Sequence, residues 1–178
     1  DFNILMINAK TTFTEASIGI ILSVVLGFVF ACVMDKFIIA RDLIYKVLVI
    51  SQTIPTVAIA PLLVLWFGYD MLPNIILVVI LGFFPISVSL LDGFLSADKD
   101  SINLIKAMGG TNFQVFKYVK MPNAMSRFFS GLKIALSYSI VGTVISEWLG
   151  GYSGLGVYMM VAKKSYAFDK MFAVVIFV

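Results

Sequence analysis

The chain has 178 residues, 61% of them hydrophobic and 13% charged, with a mean hydropathy of +1.03. Soluble domains carry about a quarter charged residues, so this composition excludes one and marks an integral membrane protein. The net charge of +3 sits mostly beside apolar runs, as topology requires, and argues against a nucleic-acid partner; a single Cys32 and no His remove intrachain disulfides, haem and soft-metal chemistry, so no cofactor is expected.

Four apolar runs approach or reach the roughly 20 residues that cross a bilayer: 14–34, 43–67, 73–95 and 128–149. They are apolar nearly all round, without the polar stripe of a helix on a soluble core. Without water to pair backbone groups, each is expected to be helical. The first carries Glu15 near its outer end, and a short loop at 35–42 follows. In the second, Pro55 and Pro61 predict a bent or interrupted helix. Gln52 and Thr53 lie at depth just before that break, where freed carbonyls can face a water-filled cavity, which makes Gln52 and Pro55 pathway candidates. The third run ends near Asp92.

A polar loop, about 96–127, comes next. Asp100 or Ser101 can cap a short helix ending near Met108, and Gly109-Gly110 supplies the left-handed backbone that terminates one. Thr111 and Gln114 have capping-box spacing for a second short helix, which Pro122 is expected to close. Two helices around a glycine elbow make a rigid knob suited to docking a partner. The plainer reading is an amphipathic segment on the headgroups, with Phe113 and Phe116 dipping into lipid.

The fourth span carries Gly131, Ala135, Ser139, Gly142, Ser146 and Gly150 along one face. That face is either a packing seam or a path lining in which Ser139, Gly142, Thr143 and Ser146 meet a polar solute. Glu147 lies at the outer end of this span, where water is expected to reach it as it reaches Glu15. The Trp148 and glycine-rich turn that follow make Glu147 a candidate for a gate. A fifth run begins near Met171 and is too short to cross, so the chain reads as a piece of a longer protein: a single transmembrane domain over 1–178, with four complete spans and the start of a fifth. Basic residues set the orientation. Lys36, Arg41, Lys99, Lys106, Lys117, Lys120 and Arg127 fall on the side of the polar loop, with Lys46 and Lys133 near that side, and only Lys10, Lys163, Lys164 and Lys170 on the other, which makes the loop cytoplasmic.

The loop resembles the signature of the membrane subunits of bacterial ATP-binding-cassette importers: Glu-Ala-Ala, three residues, Gly, nine residues, Ile-x-Leu-Pro. Gly109 takes the glycine position, and the next nine residues lead to Val119-Lys120-Met121-Pro122; the opening triplet departs, being Asn103-Leu104-Ile105. Ser51-Gln-Thr-Ile-Pro55, Pro61-Leu-Leu-Val-Leu-Trp-Phe-Gly68 and Glu147-Trp-Leu-Gly-Gly-Tyr-Ser-Gly-Leu-Gly156 are similar to the branch handling nitrate, sulfonate, taurine and pyrimidine-type vitamin precursors. The resemblance implies an all-α polytopic bundle in the bacterial inner membrane, serving as a permease without enzymatic activity. Its implied partners are cytoplasmic ABC ATPase subunits, an extracytoplasmic substrate-binding protein and a second permease subunit, with which this one would form a homodimer. The ATPase contact then falls to Asn103, Ala107, Gly109, Gly110, Val119 and Pro122. No Gly-x-x-x-x-Gly-Lys-Ser/Thr run is present to hold ATP, and the Gly150–Gly156 cluster follows a span instead of a strand. A secondary transporter would show inverted repeats or a mid-membrane ionisable relay, neither of which is visible; a membrane scaffold is the other alternative, distinguished by whether an ATPase co-purifies.

Overall fold

The structure, a computed structural model, describes residues 2–177, and every regular element among them is helical. α1 (Phe2–Lys36) begins twelve positions before the run predicted from residue 14, because nothing in its first turns breaks a helix. The loop expected at 35–42 shrinks to Phe37, whose extended backbone (φ −120°, ψ 112°) turns the chain into α2 (Ile38–Ser51). α2 and α3 (Thr56–Phe67) meet at 97°, with Pro55 at the break, so the predicted interruption is present; Pro61 is accommodated inside α3. α4 (Met71–Leu95) starts at Asp70, whose carboxylate accepts from the Met71 N–H at 2.7 Å.

The loop contains α5 (Lys99–Ala107) and α6 (Asn112–Val115), and a π-helical turn (Phe116–Lys120) then runs directly into α7 (Met121–Gly150). α8 (Leu155–Lys164) and α9 (Phe168–Phe177) follow; the sequence reading foresaw only the second. By length and composition, three stretches can cross a membrane, or four if the bent α2–α3 pair counts as one.

α4 is the axis of the bundle. α1 lies parallel to it, Gly19 against Val78 and Gly27 against Ile86. α7 lies antiparallel on its other side, Ala124 against Gly93, Gly131 against Pro85, and Gly142 against Leu81. Small residues on both seams let the backbones approach closely, which is what holds helices together where the lipid is as apolar as the side chains. Ala31, Ile86, Leu90, Phe94, Ala124 and Ala135 form the main core between the three helices.

Candidate functional site

The loop is rigid for local reasons. Asp98 caps α5, accepting from Ser101 N–H at 2.9 Å, Ser101 Oγ at 2.5 Å and, more weakly, Asp100 N–H at 3.4 Å. The cap therefore lies ahead of the predicted Asp100 or Ser101, since only a carboxylate placed before the first turn reaches its free N–H groups. These bonds, the Ser101 hydroxyl first, hold the Asp98 carboxyl below the usual range.

At the other end of α5, Gly109 (φ +82°) donates to Lys106 C=O at 3.0 Å and Gly110 to Ile105 C=O at 2.9 Å. This pair of bonds is a Schellman motif. Gly109 needs its left-handed backbone, and a Cβ on Gly110 would collide with the side chain of Ile105. The predicted capping box is formed: Gln114 N–H donates to Thr111 Oγ1 at 3.3 Å, and Thr111 N–H to Gln114 Oε1 at 2.7 Å.

Pro122 does not close the segment. It stands in the first turn of α7, and helix continues from Asn112 to Gly150. A proline ring crowds the carbonyl four residues back and offers that carbonyl no donor. Just before it the chain widens into the π turn, in which Met121 N–H donates to Phe116 C=O. Helix is thereby kept where a break was expected.

Three contacts pin this assembly to the bundle. Lys120 Nζ pairs with both Asp35 oxygens at 2.6 and 2.9 Å, at the end of α1. Asn123 Nδ2 donates to Gly93 C=O at 2.9 Å and Ser96 Oγ at 3.2 Å. Phe116 packs on Phe94, ring centroids 5.2 Å apart. Asn103 and Ala107 lie exposed on α5 with Leu104, Met108 and Gly109; Gly110 and Val119 are half-buried and Pro122 exposed.

At the opposite end the candidates on α7 are buried, and two of them, Ser146 and Glu147, join a polar network. Ser139, Gly142, Thr143, Ser146 and Glu147 are all buried. The Ser139 and Thr143 hydroxyls donate to carbonyls of their own helix, at 2.7 and 2.8 Å. Ser146 Oγ donates to Asn74 Oδ1 at 2.5 Å, and Asn74 Nδ2 donates to Glu15 Oε2 at 2.9 Å, joining α7, α4 and α1. Glu147 accepts from Thr12 Oγ1 and from Gly156 N–H, both at 2.6 Å. Leu155 N–H donates to Thr12 Oγ1 and Gly154 N–H to Asn8 Oδ1, each at 2.8 Å.

The expectation that water reaches Glu15 and Glu147 is corrected, for they are 2% and 1% exposed. The turn after α7 folds back and covers Glu147, while α4 covers Glu15. Asn8, Thr12 and Asn74 belong to this network and were missed. Asn8, Thr12 and Glu15 stand four and three apart ahead of an apolar run, a signal that one helix face is polar. Gln52 and Pro55 lie exposed at the α2–α3 break, apart from the network. No group of three metal-ligating side chains occurs among the described residues.

The family described as "Binding-protein-dependent transport system inner membrane component" matches residues 19–178. The chain is 39% identical, over 83% of its length and 59% of the relative's, to the formylaminopyrimidine transport permease protein ThiX of Halalkalibacterium halodurans. It is 35% identical, over 93% of its length and 68% of the relative's, to a probable ABC transporter permease protein of Haemophilus influenzae. Other relatives are named as permeases for riboflavin, aliphatic sulfonates and taurine. Among solved structures, an amino acid ABC transporter superposes with a TM-score of 0.81 at 13% identity, over 99% of this chain and 86% of that one, a likeness of fold alone. With its membrane-spanning helices and the matched segment running from the middle of α1 to the end, the chain belongs to the inner-membrane permeases of binding-protein-dependent ABC transport systems.

Proposed function

We propose that this chain forms part of the translocation path of an ATP-driven importer for a small polar solute and meets its cytoplasmic ATPase through the 103–122 loop. The solute is a pyrimidine-type vitamin precursor or a small sulfonate-like anion, the classes named for its relatives. A second permease subunit and an extracytoplasmic binding protein complete the assembly.

One observation carries the docking assignment. The Schellman elbow at Gly109-Gly110 leads through a capping box into a helix that reaches the far side of the bundle without a break. Force applied to an exposed knob built this way moves a span, which a flexible linker would not do. Asn103, Ala107 and Gly109 are available at its surface.

Replacing Gly109 by Val puts a β-branched residue at φ +82°, which costs at least about 1 kcal/mol and disturbs the elbow. ATPase association and substrate-stimulated ATP hydrolysis are expected to fall. Gly109→Asn is expected to retain both, because Asn tolerates the left-handed region and no neighbour crowds this Cβ. Unchanged association and hydrolysis in Gly109→Val would leave the loop as a surface segment on the headgroups.

A further inference from the structure

The small-residue face of α7, read from the sequence as either a packing seam or a path lining, is turned inward against α4, so the path needs another face. The exposed side of α7 supplies one. Ser126, Ser130, Lys133 and Ser137 succeed one another at helical spacing with Tyr138 beside them, all exposed, and the side chains of Ser130 and Ser137 stand within the membrane-spanning stretch. The rest of the exposed surface of α7 near this depth, Phe129, Ile134, Leu136 and Val141, is apolar, as are Val25, Leu26 and Val29 of α1, so the polar row stands out on its own helix.

The serines alone decide nothing, because each hydroxyl is satisfied by a carbonyl of its own helix, Ser130 by Ser126 at 3.1 Å and Ser137 by Lys133 at 3.2 Å. Lys133 decides. Among the described residues the one ion pair is Lys120 with Asp35, and Lys133 has no carboxylate partner. It is also deep. Gly131 packs beside Pro85 and Ser89 of the antiparallel α4, which places it roughly 9 to 15 Å from that helix's loop end at 1.5 Å per residue, and Lys133 lies about 3 Å further in. A lysine at that depth is costly in lipid and is found facing a bundle interior or a water-filled cavity.

We infer that the Ser130–Lys133–Ser137–Tyr138 face of α7 borders the aqueous path, and that Lys133 is a specificity residue favouring solutes that present anionic or strongly accepting oxygens. The inference rests on the importer reading above. A fixed positive charge repels free cations and attracts carboxylate, sulfonate or carbonyl oxygen, while the serine lone pairs accept from water or solute. Tyr138 adds a hydroxyl at the side of the stripe nearer the polar network.

The test uses the full-length permease assembled with its ATPase in inside-out vesicles, in an otherwise cysteine-free background. Single cysteines at Ser137 and, as a lipid-facing control, at Val25 are treated with an anionic and with a cationic methanethiosulfonate, both membrane-impermeant. Ser137→Cys is expected to react at least about tenfold faster than Val25→Cys, since hydrophilic reagents reach a thiol through water and not through hydrocarbon. Adding Lys133→Gln is expected to lower the anionic-to-cationic rate ratio at position 137 by about tenfold, the effect of one unit charge about 6 Å away in water-like surroundings acting oppositely on the two reagents. Lys133→Arg restores the ratio. Should Ser137→Cys fail to assemble, Ser130→Cys gives the same readout on the other side of Lys133. A position 137 no more reactive than Val25→Cys, or a ratio indifferent to Lys133→Gln, overturns the proposal while the ATPase remains bound. Failure of the importer reading shows differently, as absence of a bound ATPase from the unsubstituted protein.

Discussion

Glu147 gives each of its oxygens to a different element, Oε1 to the Thr12 hydroxyl of α1 and Oε2 to the Gly156 N–H at the start of α8. The turn between α7 and α8 is built around this carboxyl. Gly154 sits at φ +119° with its missing Cβ directed into the carboxyl group, so any side chain there is strained and also collides. Glu147→Ala strands the Gly156 donor and is expected to destabilise the purified protein by about 1–3 kcal/mol, read as a lower thermal midpoint in detergent. Gly154→Ala should act in the same direction, and the double variant should cost less than the sum, because the alanine at 147 removes what the Cβ strikes. An unchanged midpoint in Glu147→Ala would mean that water replaces the carboxyl. The sequence showed that a polar residue ends the fourth span. That it is covered was not legible, because the cover is the mixed, short α8, which has no span-like pattern to announce that it folds back.

At the scale of elements, the loop was the most legible part of the chain and the junction after it the least. The Schellman glycines and the Thr111–Gln114 box are encoded by residues within a few positions of each other, so sequence carries them. Pro122 misled because its ordinary effect is to stop a helix, and the π turn that accommodates it has no residue signature. The Lys120–Asp35 pair joins positions far apart in sequence and was equally invisible. This pair ties the π turn to the end of α1, with side chains 23% and 9% exposed. Lys120→Ala and Asp35→Ala are each expected to lower coupling, measured as solute transported per ATP hydrolysed, with a double-mutant interaction of about 1 kcal/mol in stability. Additive effects would show that the two side chains work independently.

For the whole molecule, the apolar runs marked where the long apolar helices and the bent α2–α3 pair form, since length and hydropathy suffice for that, but not their pairing. Which face of α7 turns inward depends on the fit of its small residues to α4, and a one-sided row of Gly, Ala and Ser suits a seam and a pore equally. The structure sets Gly142 against Leu81, where an added Cβ would lie 2.5 Å from Leu81 Cδ1. Gly142→Leu is therefore expected to force α4 and α7 apart, costing about 1–3 kcal/mol and lowering assembly yield. Normal yield with ATP hydrolysis uncoupled from transport would instead favour a seam that slides between two arrangements.

The π turn has a consequence for how this chain tolerates insertions and deletions. Its hydrogen bonds span one residue more than those of an α-helix, so the turn stores one extra residue without passing a full residue's rotation on to the helix around it. Deleting one residue from 116–120 is expected to let an ordinary ladder run through with α5 and α6 still facing roughly the same way, whereas deleting one from the regular ladder of α7 would swing the knob by about 100° at 3.6 residues per turn. The π turn is thus the place in this helix where a one-residue change of length leaves the direction of the knob in place.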